Sequence, residues 1–222
     1  MRRLLRDNAL TLAMVALFIP ALVGQFLAGW SVYNDDRMEH GSGPVSLIGY
    51  LTSPHFGEAV FENWESEFLQ MGIFVLLTAR LRQRGSPESK PFEEEDGEPP
   101  QTDRAPDPKR KGAPWPVLAG GVIGKLYEHS LSIALFTLFG LSFALHVITG
   151  AAEYSADQLD HGGQAVSVVQ YLGTSQLWFE SFQNWQSEFM SIAALVVLAI
   201  FLRERGSSQS KPVDAPHSQT GD

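Results

Sequence analysis

The sequence predicts an all-α membrane protein with four transmembrane helices, arranged as two tandem repeated helical hairpins joined by a flexible cytoplasmic linker. Three observations carry this reading: two long uncharged apolar runs, a self-similarity at an offset of 121 residues, and a one-sided distribution of Lys and Arg. The run from Ala9 to Tyr33 holds 25 residues without a charge, and the run from Ser130 to Ala152 holds 23 with no acidic residue, Lys or Arg. Each exceeds the roughly 20 residues a helix needs to cross a hydrocarbon core of about 30 Å.

The other two spans are less plain. Residues 68–79 and 189–202 are apolar but short, so each helix must recruit the polar octapeptide before it, FENWESEF at 61–68 and FQNWQSEF at 182–189. The repeat supports this. Laid on itself without a gap, Leu5–Pro91 superimposes on Leu126–Pro212 with about a third of positions identical, among them Gly29/Gly150, Tyr33/Tyr154, Tyr50/Tyr171 and Trp64/Trp185. The period is far longer than the roughly 20–50 residues of solenoid arrays, so each copy is a two-helix unit. MRRLLRDN followed by an apolar run has the look of a signal peptide, but its counterpart at 130–152 is internal and the run is too long for an h-region, so the first helix is expected to stay. The expected boundaries are 1–84 for the first hairpin, 85–116 for a disordered linker, 117–206 for the second hairpin and 207–222 for a disordered tail. Pro, Glu, Asp and Lys dominate the linker and bury too little apolar surface to offset ordering. Its acidic run Glu93–Asp96 is either a solvated spacer or a lure for a basic partner.

Charge sets the orientation. Of 16 Lys and Arg, 15 lie in the N-terminal segment, the linker region and the C-terminal end, and only Arg37 lies in a hairpin loop. The positive-inside bias therefore puts both termini and the linker in the cytoplasm, in a multi-pass protein whose chief partner is the lipid bilayer. Two hairpins of like orientation form a parallel repeat, which disfavours inverted-repeat transporters. A net charge of -9 argues against a nucleic-acid partner, and the absence of Cys excludes disulfides and thiolate metal sites. In LRQRG and LRERG, arginines in the last helical turn favour the dipole, and Gly85 and Gly206 suit a left-handed C-terminal cap.

The repeated glutamates are the candidates for chemistry. At about 1.5 Å per residue, Glu188 lies roughly 21 Å above an inner boundary at Leu202, and Glu67 equally far from Leu81. A carboxylate at that depth must be protonated, paired or in contact with water. Gln25 and His146, counted outward from Ala9 and Ser130, reach a similar height, and Asn63 and Asn184 sit one turn from the glutamates on the same face. These six side chains are the candidate ion or proton site; the competing reading is that Glu67 and Glu188 only pair helices or snorkel. A second stripe, Asp36 and His40 with Asp157 and His161, extends each first helix outward. It could supply four ligands to a divalent metal or form two solvated helix ends. No other cofactor is indicated. With no G-x-S-x-G, H-E-x-x-H or phosphate loop, an enzyme is the least supported reading. The segments 34–68 and 153–188 together hold 12 acidic residues against one basic, which favours a carrier, channel or sensor-like module for a cation or proton. A non-catalytic structural or stress-related membrane protein is the alternative. Four short helices leave little room for a pathway, so a homo-oligomer is expected.

The motifs N-W-x-S-E-F (63–68 and 184–189) and R-G-S-x-x-S-K-P (84–91 and 205–212) resemble a family of small bacterial integral membrane proteins of unknown function. The resemblance covers roughly residues 5–92 and 126–213, and implies a bacterial inner membrane and no defined activity. The second copy has Gln183 and Gln186 where the first has Glu62 and Glu65, which puts a strictly four-carboxylate site in doubt.

Overall fold

Every regular element among the described residues is helical, with no strand. The structure, a computed structural model, describes residues 2–92 and 101–221; the acidic run Glu93–Asp96 lies outside them. In chain order the helices are α1 (Arg2–Asp7), α2 (Ala9–Glu39), α3 (Leu47–Leu51), α4 (Pro54–Arg80), α5 (Trp115–Ala119), α6 (Gly121–Glu128), α7 (Ser130–Asp160), α8 (Val168–Tyr171) and α9 (Ser175–Phe201).

Three of these, α2, α7 and α9, are long and apolar enough to cross a membrane. Their side chains say the same. On α2 only Asn34 is buried, while Leu10 and Leu17 are 76% and 67% exposed. A helix that is apolar all round yet unburied by its own chain is compatible with a membrane span. Pro20 sits within α2 and removes one helix N–H donor, a loss that helices in membranes tolerate. The fourth long helix, α4, is not among the three; it carries Glu58, Glu62, Glu65 and Glu67. It does run without a break from Pro54 through the octapeptide to Arg80, as α9 runs from Ser175 through its own octapeptide to Phe201.

The chain divides into two compact units, one comprising residues up to 61 with 144–177, the other 62–143 with 178 onward. In the first unit, a polar side chain near the end of each long helix clamps the backbone of the following loop. Asn34 accepts from Val45 N–H at 2.7 Å and donates to Val45 O at 3.2 Å. Ser155 does the same with Val166, at 3.0 and 3.1 Å. Ser46 and Ser167 then cap α3 and α8, accepting from Gly49 N–H and Gln170 N–H, so that donors orphaned at a helix start are satisfied. Each short helix places one tyrosine inward, Tyr50 at 1% and Tyr171 at 0% exposure, and these rings pack on Tyr33 and Tyr154 at centroid distances of 5.5 and 5.7 Å.

In the second unit, the aromatic side chains Phe139, Phe143, Trp178, Phe182 and Trp185 of α7 and α9 form a chain of ring contacts at 5.5–6.4 Å. After α4 and after α9 the backbone makes the same turn. Gly85 and Gly206 take φ of +82° and +88°, a left-handed conformation that only glycine adopts without strain. Ser89 Oγ accepts from Gln83 N–H, and Ser210 Oγ accepts from Glu204 N–H, both at 2.9 Å.

Candidate functional site

Within the first unit, the polar groups gather around the first turns of α4. His146 of α7 is fully buried, and one of its ring nitrogens lies within 4.8 Å of a Glu58 carboxylate oxygen. The Tyr171 hydroxyl donates to Glu58 Oε1 at 3.3 Å. Gly150, one turn beyond His146, makes the space: a Cβ there would lie 2.7 Å from both Glu58 Oε1 and the Tyr171 hydroxyl. Gln25 of α2 donates to the Ala59 carbonyl at 3.3 Å. Gln25 and His146 thus reach adjacent residues of one helix. The corresponding tyrosine of the first half, Tyr50, meets a base, with its hydroxyl 3.2 Å from His55 Nδ1.

The same unit joins the two Asp/His stripes. His40 Nδ1 lies 3.0 Å from the Asp36 carbonyl and 3.5 Å from its Oδ1; His161 Nδ1 lies 2.9 and 3.4 Å from the same atoms of Asp157. The His40 and His161 rings approach to 5.6 Å between centroids, tilted by 64°. Each Nδ1 is engaged by its own helix, which leaves Nε2 as the outward vertex. The Asp36 carbonyl and then its carboxylate hold the His40 imidazole above its ordinary pKa.

Within the second unit, α4 and α9 meet through the octapeptides, on Glu62 and Glu65. Glu65 is 0% exposed and accepts from Ser181 Oγ at 2.9 Å and Trp185 Nε1 at 3.2 Å. Asn184 donates through Nδ2 to Glu62 Oε1 and to the Glu180 carbonyl. Of the other residues singled out by sequence, Glu188 is half-buried, while Glu67 and Asn63 are exposed. The Asn63 carbonyl accepts from Ser66 Oγ at 2.7 Å.

A family model described as "Domain of unknown function (DUF6766)" matches residues 1–222. The chain belongs to the DUF6766 family. Comparison with curated proteins and with solved structures finds no match. In this DUF6766 chain the polar groups that sequence reasoning missed are Glu58, Glu62, Glu65, Tyr171 and Ser181. One signal pointed to two of them. Positions 62 and 65 are where the octapeptides differ, acid in one and amide in the other, and a carboxylate set against neutral donors is what such a difference permits.

Proposed function

We propose that this chain is a four-span membrane protein of two parallel hairpins, with both termini and the linker cytoplasmic, that binds or conducts a cation or proton at an acidic extracytoplasmic site. The observation that carries the reading is His146, fully buried yet beside the Glu58 carboxylate, in a protein whose loop-side segments hold 12 acidic residues and one basic. Burying an imidazole against a carboxylate is costly unless the pair is hydrogen-bonded or takes up a proton or cation. Glu67 and Glu188, with Asn63 and Asn184, are proposed as a further set of ligands, and α4 as the fourth span.

The test is ion and proton flux in proteoliposomes. Loss of flux in His146→Gln and in the Glu67→Gln, Glu188→Gln double variant supports the reading; unchanged flux in both refutes it. A second reading is favoured by the approach of His40 to His161: a divalent metal held by Asp36, His40, Asp157 and His161. Elemental analysis of purified protein decides that reading, which fails if metal is absent at stoichiometric level.

A further inference from the structure

The two R-G-S-x-x-S-K-P turns have the same backbone, but only one is covered. On the first, Gly85 N–H donates to Thr220 Oγ1 at 3.0 Å, and Gly221 N–H donates to the Ser86 carbonyl at 3.0 Å. Gly85 and Ser86 are buried as a result. On the second, Gly206 and Ser208 are exposed. A Cβ at Gly206 would meet nothing within 4 Å. There the turn borders an open cavity of about 450 Å³ lined by Arg205, Gly206, Ser207, Ser208 and Lys211, among others. Among the described residues, no acceptor is bound to the Gly206 N–H, the Ser208 hydroxyl or the Arg205 guanidinium.

The charges around this turn are also unmatched. On the first turn Lys90 and Arg82 pair with Asp103 at 2.6 and 3.8 Å. On the second, Arg203 donates only to carbonyls, including those of Leu202, Pro212 and Ala215. Lys211 donates to the carbonyls of Pro216, His217 and Gln219 at 2.9–3.2 Å. Burial and the Arg203 charge push the Lys211 ammonium below its ordinary pKa, the response of a cation that lacks a counter-anion.

We propose that the turn at 205–211 binds a phosphate group, held by Arg205, the Gly206 N–H and the Ser208 hydroxyl. The first turn supplies the precedent, because there the equivalent glycine N–H already donates to an oxygen brought by another segment. Convergent N–H and O–H donors beside a guanidinium are the ordinary recognition of a phosphate oxygen. The turn follows directly on α9, a helix apolar enough to span a bilayer, so an anionic lipid headgroup and free phosphate present the same chemistry to it. The lipid source rests on the membrane reading; the phosphate site does not, and it shares no residue with His146 or Glu58.

Full-length protein is tested in two arms. One places it in nanodiscs of phosphatidylcholine with and without phosphatidylglycerol, counting retained anionic lipid by native mass spectrometry. The other titrates inorganic phosphate in detergent, following the Gly206 amide resonance. Wild type is expected to bind in at least one arm, which identifies the source. Arg205→Gln is expected to weaken that binding about tenfold, the loss of one charge-assisted contact, and Ser208→Ala to weaken it less. Arg84→Gln, beside the covered turn, should leave it unchanged. Both substituted positions of the second turn are exposed, so helical content by circular dichroism should not move. Absence of binding in both arms overturns the proposal, as does equal binding by wild type and Arg205→Gln.

Discussion

Replacing Glu65 by Ala should destabilise the α4–α9 contact by about 2–6 kcal/mol. The carboxylate is fully buried and accepts from Ser181 Oγ and Trp185 Nε1. Truncation strands both donors, at about 1–3 kcal/mol for each buried polar group left unmet, and leaves a void. Gln keeps an acceptor oxygen in nearly the same place, so Glu65→Gln should cost about 1 kcal/mol or less. Ser181→Ala removes one donor while leaving the acceptor its Trp185 bond, so its cost should fall between the two. The assay is equilibrium unfolding in detergent micelles, read both by circular dichroism and by tryptophan emission, since the Trp185 indole should shift when its N–H loses its acceptor. Equal costs for Gln and Ala would refute the argument, because shape and not hydrogen bonding would then set the stability of the contact. A cost for Ala below that of Ser181→Ala would refute it too.

Gly29→Ala and Gly150→Ala should each cost about 1–3 kcal/mol by overpacking, because the new methyl meets the Tyr50 hydroxyl in one case and Glu58 with Tyr171 in the other. Gly24→Ala and Gly140→Ala, where a Cβ meets nothing within 4 Å, should be neutral or stabilising through helix propensity, and thermal unfolding of the four variants separates the groups. The His40 imidazole should titrate above 6.5, as measured by NMR. Because its folded pKa is raised, its contribution to stability is present below the unfolded value and is lost as pH rises through the folded one; a midpoint below 6.5 would contradict the Asp36 contacts. Lys211→Met strands three carbonyls, and should release residues 212–221 to limited proteolysis while leaving the cleavage pattern of α9 unchanged.

Much of the fold was legible because it depends on periodic burial and on backbone conformation. The uncharged runs became α2 and α7. Gly85 and Gly206 adopt the expected positive φ, but α4 ends at Arg80 and α9 at Phe201, so the arginines of LRQRG and LRERG lie beyond the last helical turn and the two glycines turn the chain after the helices rather than cap them. The i, i+4 spacing of Asp36 with His40 and of Asp157 with His161 became two contacts of the same geometry. The polar contacts were harder to read. On a helix Glu65 and Glu67 are two residues apart and point to nearly opposite faces, yet composition treats them alike. The self-similarity favoured Glu67, whose partner Glu188 is identical, whereas Glu65 is the one enclosed by α9. The carbonyl cage around Lys211 leaves no trace in composition, because backbone oxygens belong to every residue.

The bond from Gly85 to Thr220 spans 135 residues. Closing so long a loop carries an entropic cost that local contacts avoid, and synthesis proceeds from the N-terminus. The first basic turn is therefore made early and stays uncovered while everything between it and Thr220 is translated. During that interval both turns present bare glycine N–H groups in succession, and the tail closes over the older of them only after the helices that separate the two have been made.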